Sequence, residues 1–134
     1  MGRILVVNAG STSLKLSLVA EDETSETVGS LADVDPAALD GVAHRVVHGG
    51  PAFRDPVVID DDVRAAVRGL EEVAPLHNAP AIRGIEEATD ALGTVPQVAV
   101  FDTAFHASIP AEAATYAVPR RSCGSSYPTC ACAW

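Results

Sequence analysis

Ile4-Leu5-Val6-Val7-Asn8-Ala9-Gly10-Ser11-Thr12-Ser13-Leu14-Lys15-Leu16-Ser17-Leu18-Val19 is the stretch on which the reading of the fold turns. Four large apolar residues in a row predict a buried strand. After the polar segment, Leu14, Leu16 and Leu18 alternate with Lys15, Ser17 and Val19, the period-2 pattern of a second strand on a core. The turn between them holds an amide, a glycine and three hydroxyls, with a lysine just beyond. Gly10 has no Cβ to block a close approach of the backbone. Backbone N–H groups and the hydroxyls of Ser11, Thr12 and Ser13 can donate to phosphate oxygens, Lys15 adds a positive charge, and Asn8 offers a neutral oxygen of the kind Mg²⁺ or its bound water accepts. A plain hairpin with a solvated turn fits the spacing equally well. The order of a Walker A loop is absent.

The 134 residues make at most one domain, or part of a larger one, and 48% hydrophobic content favours a folded core. A net charge of −9 argues against nucleic-acid or anionic-membrane partners. No run is long enough for a membrane span, and Asn8 to Ser13 interrupts any signal-peptide core, so the expected address is the cytosol. All three cysteines (Cys123, Cys130, Cys132) fall in the last twelve residues, and residues 120–134 hold none of the 18 acidic side chains. Their spacing matches no zinc site. The tail from Arg120 is therefore read as foreign to the fold.

Further along, Thr27-Val28 suggests a short edge strand and Leu31 to Asp40 a connector or weak helix. Val42 to Val47 reads as a strand that His48-Gly49-Gly50-Pro51 ends. Asp60 to Asp62 open a helix carrying Val63, Val67, Leu70 and Val73, which Pro75 is expected to close. Leu76-His77-Asn78 is read as a loop, with Pro80 in the first turn of the next helix. That helix carries Ile82, Ile85, Ala88 and Leu92, and Gln97 to Phe101 forms a last strand. A hairpin followed by helix-linked strands predicts an α/β lobe, a mixed sheet with helices packed on it. Ligands in such sheets gather at the carboxyl ends of strands, where Asn8, the His48-Gly49-Gly50 turn and Asp102 can converge.

Arg45 is the one charge in a valine-rich strand. Turned inward it needs an anion or carboxylate, which its fork suits; on an edge strand it simply faces water. His77 reads as an exposed loop histidine or a catalytic one. Asp102 follows the last strand directly, as a Mg²⁺-positioning carboxylate or as a helix cap.

Taken in order, Asn8 to Lys15, His44 to Gly50, Ala74 to Asn78, and Val100 to His106 resemble the N-terminal portion of the acetate and propionate kinases of the actin-like ATPase superfamily. The resemblance runs from residue 3 to about 119, ending with Tyr116-Ala117-Val118-Pro119. It implies a mixed α/β lobe of the actin-like (ribonuclease H-like) fold, and reversible transfer of the γ-phosphoryl of ATP to acetate with Mg²⁺. By position it assigns Asn8 to support of the magnesium site, and Ser11, Ser13 and Lys15 to the phosphate-facing loop. Arg45 would hold the substrate carboxylate, and Val47 and Leu76 would wall its methyl group. His77 would stand near the transferring phosphoryl group, and Asp102 matches the essential aspartate. A carboxylic acid with a pKa of about 4 to 5 is ionised at neutral pH and needs no base, so Asp102 is read as positioning Mg²⁺ and water or fixing Arg45.

Family members are two-lobed, longer and homodimeric. Here residues 1–119 correspond to a partial N-terminal lobe, and residues 120–134 to an aberrant tail of the kind a frameshift produces. The second lobe, with its adenosine-binding loops, has no counterpart. The expected activity is ATP plus acetate to ADP plus acetyl phosphate, with this truncated chain inactive alone. The alternative is a non-catalytic lobe, a nonfunctional gene product, or a fragment that needs a partner chain.

Overall fold

The computed structural model describes residues 2–72 and 75–105. Strand β1 (Arg3–Ala9) turns into β2 (Leu14–Ala20), and β3 (Ser25–Val28) extends the antiparallel meander. The first turn is closed by the Gly10 N–H donating to the Ser13 carbonyl at 2.8 Å. Residues 31–40 form two 3₁₀ turns, Leu31–Asp33 and Pro36–Ala38, in place of a weak helix. Ser30 and Asp35 each accept a backbone N–H two residues on, so the segment is capped twice in ten residues and never propagates.

Strand β4 (Gly41–Val46) then lies parallel to β1, and β6 (Gln97–Phe101) parallel to β4. The two-residue β5 (Val57–Val58), which hydrophobic runs did not reveal, pairs antiparallel with the outer edge of β6. The sheet order is β3-β2-β1-β4-β6-β5. Arg45 therefore sits in an interior strand, not at an edge, with its exposed side chain on the face of the sheet that bears Val6 and Val98.

Helix α1 (Asp61–Gly69) begins where the acidic run predicts, with the Asp60 carboxylate accepting the Val63 N–H at 2.7 Å. It ends earlier than its apolar spacing suggests, passing into a 3₁₀ turn over Leu70–Glu72. Pro75 starts helix α2 (Pro75–Leu92) instead of closing α1, so Leu76, His77 and Asn78 are helical and Pro80 lies inside the helix. Proline marks a first turn as readily as an end, because the N–H it lacks has no partner there. Pro80 does remove a bond that would reach the Leu76 carbonyl.

Helix α2 buries Asn78, Ala81, Ile82, Ile85, Ala88 and Leu92. One core cluster joins Ala88 and Leu92 to Leu5, Val7, Leu16 and Val42; a second joins Ala81 and Ile82 to Val46, Val67, Ala99 and Phe101. Each large side chain so buried contributes roughly 1.5–3 kcal/mol. A Cβ on Gly84 would come within 3.3 Å of the Ala9 Cβ, so the absent side chain lets α2 lie close on the end of β1. Phe53 stacks on Phe101, ring centroids 4.7 Å apart, sealing the side near β5.

A polar chain crosses the core between these clusters. His44 Nε2 lies 2.7 Å from Gln97 Oε1, Gln97 Nε2 donates to Thr89 Oγ1 at 2.9 Å, and the Thr89 hydroxyl donates to the Ile85 carbonyl at 2.7 Å. Because the threonine's single proton is committed to the helix carbonyl, Gln97 must donate to Thr89 and accept from His44. The imidazole is thus the Nε2–H tautomer. Burial pushes its pKa down to about 4, against a smaller opposing pull from the Gln97 hydrogen bond. Neutral His44 stitches β4, β6 and α2 together.

Candidate active site

Strands β1, β4 and β6 run parallel, so their carboxyl ends share one end of the sheet. The β1–β2 turn lies at that same end. Asn8, Arg45 and Asp102 occupy these ends in turn. Asp102 is the first residue of the short helix α3 (Asp102–Phe105), a second element the apolar pattern did not disclose.

Arg45 Nε donates to both oxygens of Asp102 at 3.0 Å, and its Nη2 donates to Oδ2 at 2.7 Å. Its Nη1 points to Asn8 Oδ1 at 3.4 Å. Hydrogen bonds donated to the carboxylate, and then its charge, hold the Arg45 guanidinium pKa above its ordinary value. Asp102 takes the guanidinium side-on, through its Nε and Nη2 edge. Among the described residues, Asn8 Oδ1 is all that approaches the end-on edge, between Nη1 and Nη2, which leaves room there for a second carboxylate. With side chains 51% and 35% exposed, the pair is partly open to solvent. Lys15 stands opposite Asn8 in the β1–β2 ladder, so its ammonium shares the face that carries Arg45. Ser11, Thr12 and Ser13 form the exposed turn above them.

The other sequence candidates are less tightly drawn in. Val47 follows β4 half-buried, while Leu76, 77% exposed, and the exposed His77 project from the first turn of α2. His77 has no hydrogen-bond partner among the described residues. No three His, Cys, Asp or Glu side chains gather into a metal site among the described residues. Asn8 Oδ1 is the neutral oxygen at the strand ends, and both Asp102 oxygens are already engaged by Arg45. Such a donor set suits a Mg²⁺ held chiefly by phosphates and water, not a protein cage. The tail read as foreign, residues 120–134, lies outside the described residues.

Asn78 and Thr103, to which the sequence reading gave no role, fix the loop beside this site together with His48. Asn78, fully buried, accepts the His48 N–H at 3.2 Å and donates to the His48 carbonyl at 2.9 Å. The Thr103 hydroxyl accepts the Gly49 N–H at 3.0 Å, and His48 Nδ1 accepts the Gly50 N–H at 2.9 Å. Gly49 is obligatory, since a Cβ there would stand 2.8 Å from the Phe53 carbonyl oxygen and 2.9 Å from the Phe101 ring. Gly50 adopts a φ of 59°. The signal for Asn78 was present: the apolar stripe Leu92, Ala88, Ile85, Ile82 reaches it one turn further back.

Residues 31–125 match the profile of the Acetokinase family. The chain is 52% identical over 99 residues to the acetate kinase of Clavibacter michiganensis, covering 74% of this chain and 24% of that protein. It is 49% identical over 104 residues to the acetate kinase of Heliobacterium modesticaldum, covering 78% and 26%. The matches thus span about a quarter of the curated relatives' length. Among solved structures, a propionate kinase from Francisella tularensis superposes with a TM-score of 0.74 at 31% identity, over 90% of this chain and 42% of that one. Porphyromonas gingivalis acetate kinase superposes with a TM-score of 0.69 at 26% identity, over 92% and 43%.

Proposed function

Because the chain belongs to the acetokinase family, with the α/β lobe of an actin-like ATPase fold, we propose that it carries the carboxylate-binding side of an acetate kinase site. The reaction served is transfer of the γ-phosphoryl of ATP to a carboxylate oxygen of acetate, giving acetyl phosphate and ADP. The observation that carries this reading is the end-on edge of Arg45, which the side-on Asp102 leaves free and which only Asn8 Oδ1 approaches among the described residues. A short-chain carboxylate docked there would make two parallel charge-assisted hydrogen bonds.

The chemistry asks for little more than alignment. Acetate is ionised at neutral pH, so no group need remove its proton. Asp102, already engaged by Arg45, acts by fixing the guanidinium plane and hence the line of attack. The central difficulty is bringing two anions together on a chain of net charge −9. Arg45 and Lys15 lower that repulsion locally, and the hydroxyls of Ser11 and Ser13 offer donors to phosphate oxygens. Asn8 is the residue that would hold water on a nucleotide-borne Mg²⁺, whose chemistry is to neutralise phosphate charge. Val47 and Leu76 would limit acyl length, and His77 would donate toward the phosphoryl group from the first turn of α2. The site is a cytoplasmic kinase half-site in this reading, and the 134-residue chain alone forms no acetyl phosphate.

Saturation-transfer NMR with acetate tests it. Weak, saturable binding should appear in the native chain, vanish in Arg45→Ala, and persist in Arg83→Ala, which removes an equal charge from the exposed side of α2. Equal binding by the native chain and Arg45→Ala, or none by either, would overturn the assignment.

A further inference from the structure

The β4–β6 ladder ends at Val46 opposite Phe101. Beyond it the two chains part. Strand β6 runs straight into α3, whose first residue is Asp102, and β4 runs into the His48-Gly49-Gly50 loop. Of the ion pair, Arg45 lies inside the ladder, opposite Val100, and Asp102 lies one residue outside it. A half-exposed pair of this kind contributes little energy and does not hold a backbone in place. Nor does α3 hold itself, since four residues make a single helical turn, too short to be stable alone. Ala104 packs on the core cluster around Phe101, a lone methyl contact that leaves the rotation of the turn free. The direction from which the Asp102 carboxylate reaches Arg45 is therefore set by something else.

Among the described residues, one hydrogen bond besides those of the ion pair joins the two strand exits. The Thr103 hydroxyl accepts the Gly49 N–H at 3.0 Å, across 54 residues of sequence. The donor is itself fixed. His48, just before it, has both backbone groups held by the buried Asn78, and the Gly50 N–H, just after it, is taken by His48 Nδ1. Gly49 is wedged against the Phe53 carbonyl and the Phe101 ring, with no space for a Cβ. Asp102 is thus bracketed, by Phe101 in the ladder on one side and by the tethered Thr103 on the other. We infer that Thr103 is a positioning residue for the candidate active site. Its hydroxyl pins the α3 turn to the exit of β4, and so sets the side-on angle at which Asp102 takes the guanidinium and the direction in which the end-on edge of Arg45 faces. Serine keeps the acceptor that this role needs, and valine keeps the shape without it. The consequence for acetate rests on the carboxylate reading proposed above; the orientation of Arg45 does not.

The test is NMR on the full 134-residue chain, reading exchange of the Arg45 Nε–H with solvent. In Thr103→Val this exchange should be several-fold faster than in the native chain, and in Thr103→Ser it should keep the native rate. Leu92→Val, which loosens the core at the far end of α2, should leave it unchanged and so separates positioning from a general loss of stability. In the native chain the Gly49 amide should exchange well below the rate of an unbonded amide. Acetate should bind Thr103→Val about three- to tenfold more weakly, the factor that one lost hydrogen bond implies. Native exchange at Arg45 in Thr103→Val would overturn the inference, as would a serine variant as fast as the valine one, equal acceleration by Leu92→Val, or an unprotected Gly49 amide. If Thr103→Val does not fold, the serine variant and the Gly49 amide decide. A native chain that binds no acetate refutes the carboxylate reading alone, and the Arg45 exchange still decides the role of Thr103. Where the native chain does bind, undiminished binding by Thr103→Val overturns that role as well.

Discussion

Acidification should destabilise this protein through one buried histidine. His44 is neutral in the folded state, with a pKa near 4 against 6.5 for an unburied imidazole. Since the folded value lies below the unfolded one, the unfolded chain binds the extra proton between the two. Stability is fully present above about pH 6.5 and is lost as pH falls towards 4. The difference of about 2.5, at about 1.4 kcal/mol each, sets a ceiling of roughly 3.4 kcal/mol, of which about 1.8 should be lost between pH 7 and pH 5. That is a large share of the 5–15 kcal/mol typical of a domain. The assay is urea unfolding at half-unit steps of pH, for the native chain and for His44→Gln, whose amide can donate to Gln97 without titrating. The native chain should lose about 1.8 kcal/mol more than the variant over that range. Parallel curves would show that His44 is not a buried neutral imidazole and refute the argument.

Three further outcomes follow from the loop and the ion pair. Asn78→Ala strands a part-buried N–H and carbonyl of His48 and should cost about 1–3 kcal/mol in urea unfolding, with faster hydrogen exchange at His48. Gly49→Ala drives a methyl group into the Phe53 carbonyl and the Phe101 ring, and should lower stability by about 2 kcal/mol or more, read as a fall in the urea midpoint. Asp102→Asn breaks a half-exposed pair and should change stability by less than about 1 kcal/mol. Its signature should instead be a freed Arg45 side chain, seen by NMR as faster exchange of the Nε–H.

Sequence pattern disclosed the strands best. β1, β2 and β6 lie where apolar runs and alternation place them, because strands buried on at least one face cannot hide that signal. Strand β5 was illegible: two valines carry no period, and only the edge of β6 makes them a strand. Pro75 misled because the same residue suits a helix start and a helix stop, and Asn78 was read as loop for the same reason. Arg45 and Asp102 were legible as candidates, but their side-on pairing and the free end-on edge depend on adjacent parallel strands that no local pattern encodes. Similarly, the His44–Gln97–Thr89 chain joins residues with no sequence relationship to one another.

The ladder also sets an order of assembly. β1, β2 and β3 pair through short turns, whereas Arg45 lies 37 residues from Asn8 and 57 from Asp102. Closing such long loops costs entropy before any contact forms, so the meander should form early and the parallel pairings late. The three strand ends that make up the candidate site therefore come together only in the last steps of folding. A growing chain on the ribosome acquires its hairpin long before β6 can dock. Until then Arg45 has no Asp102 to orient it.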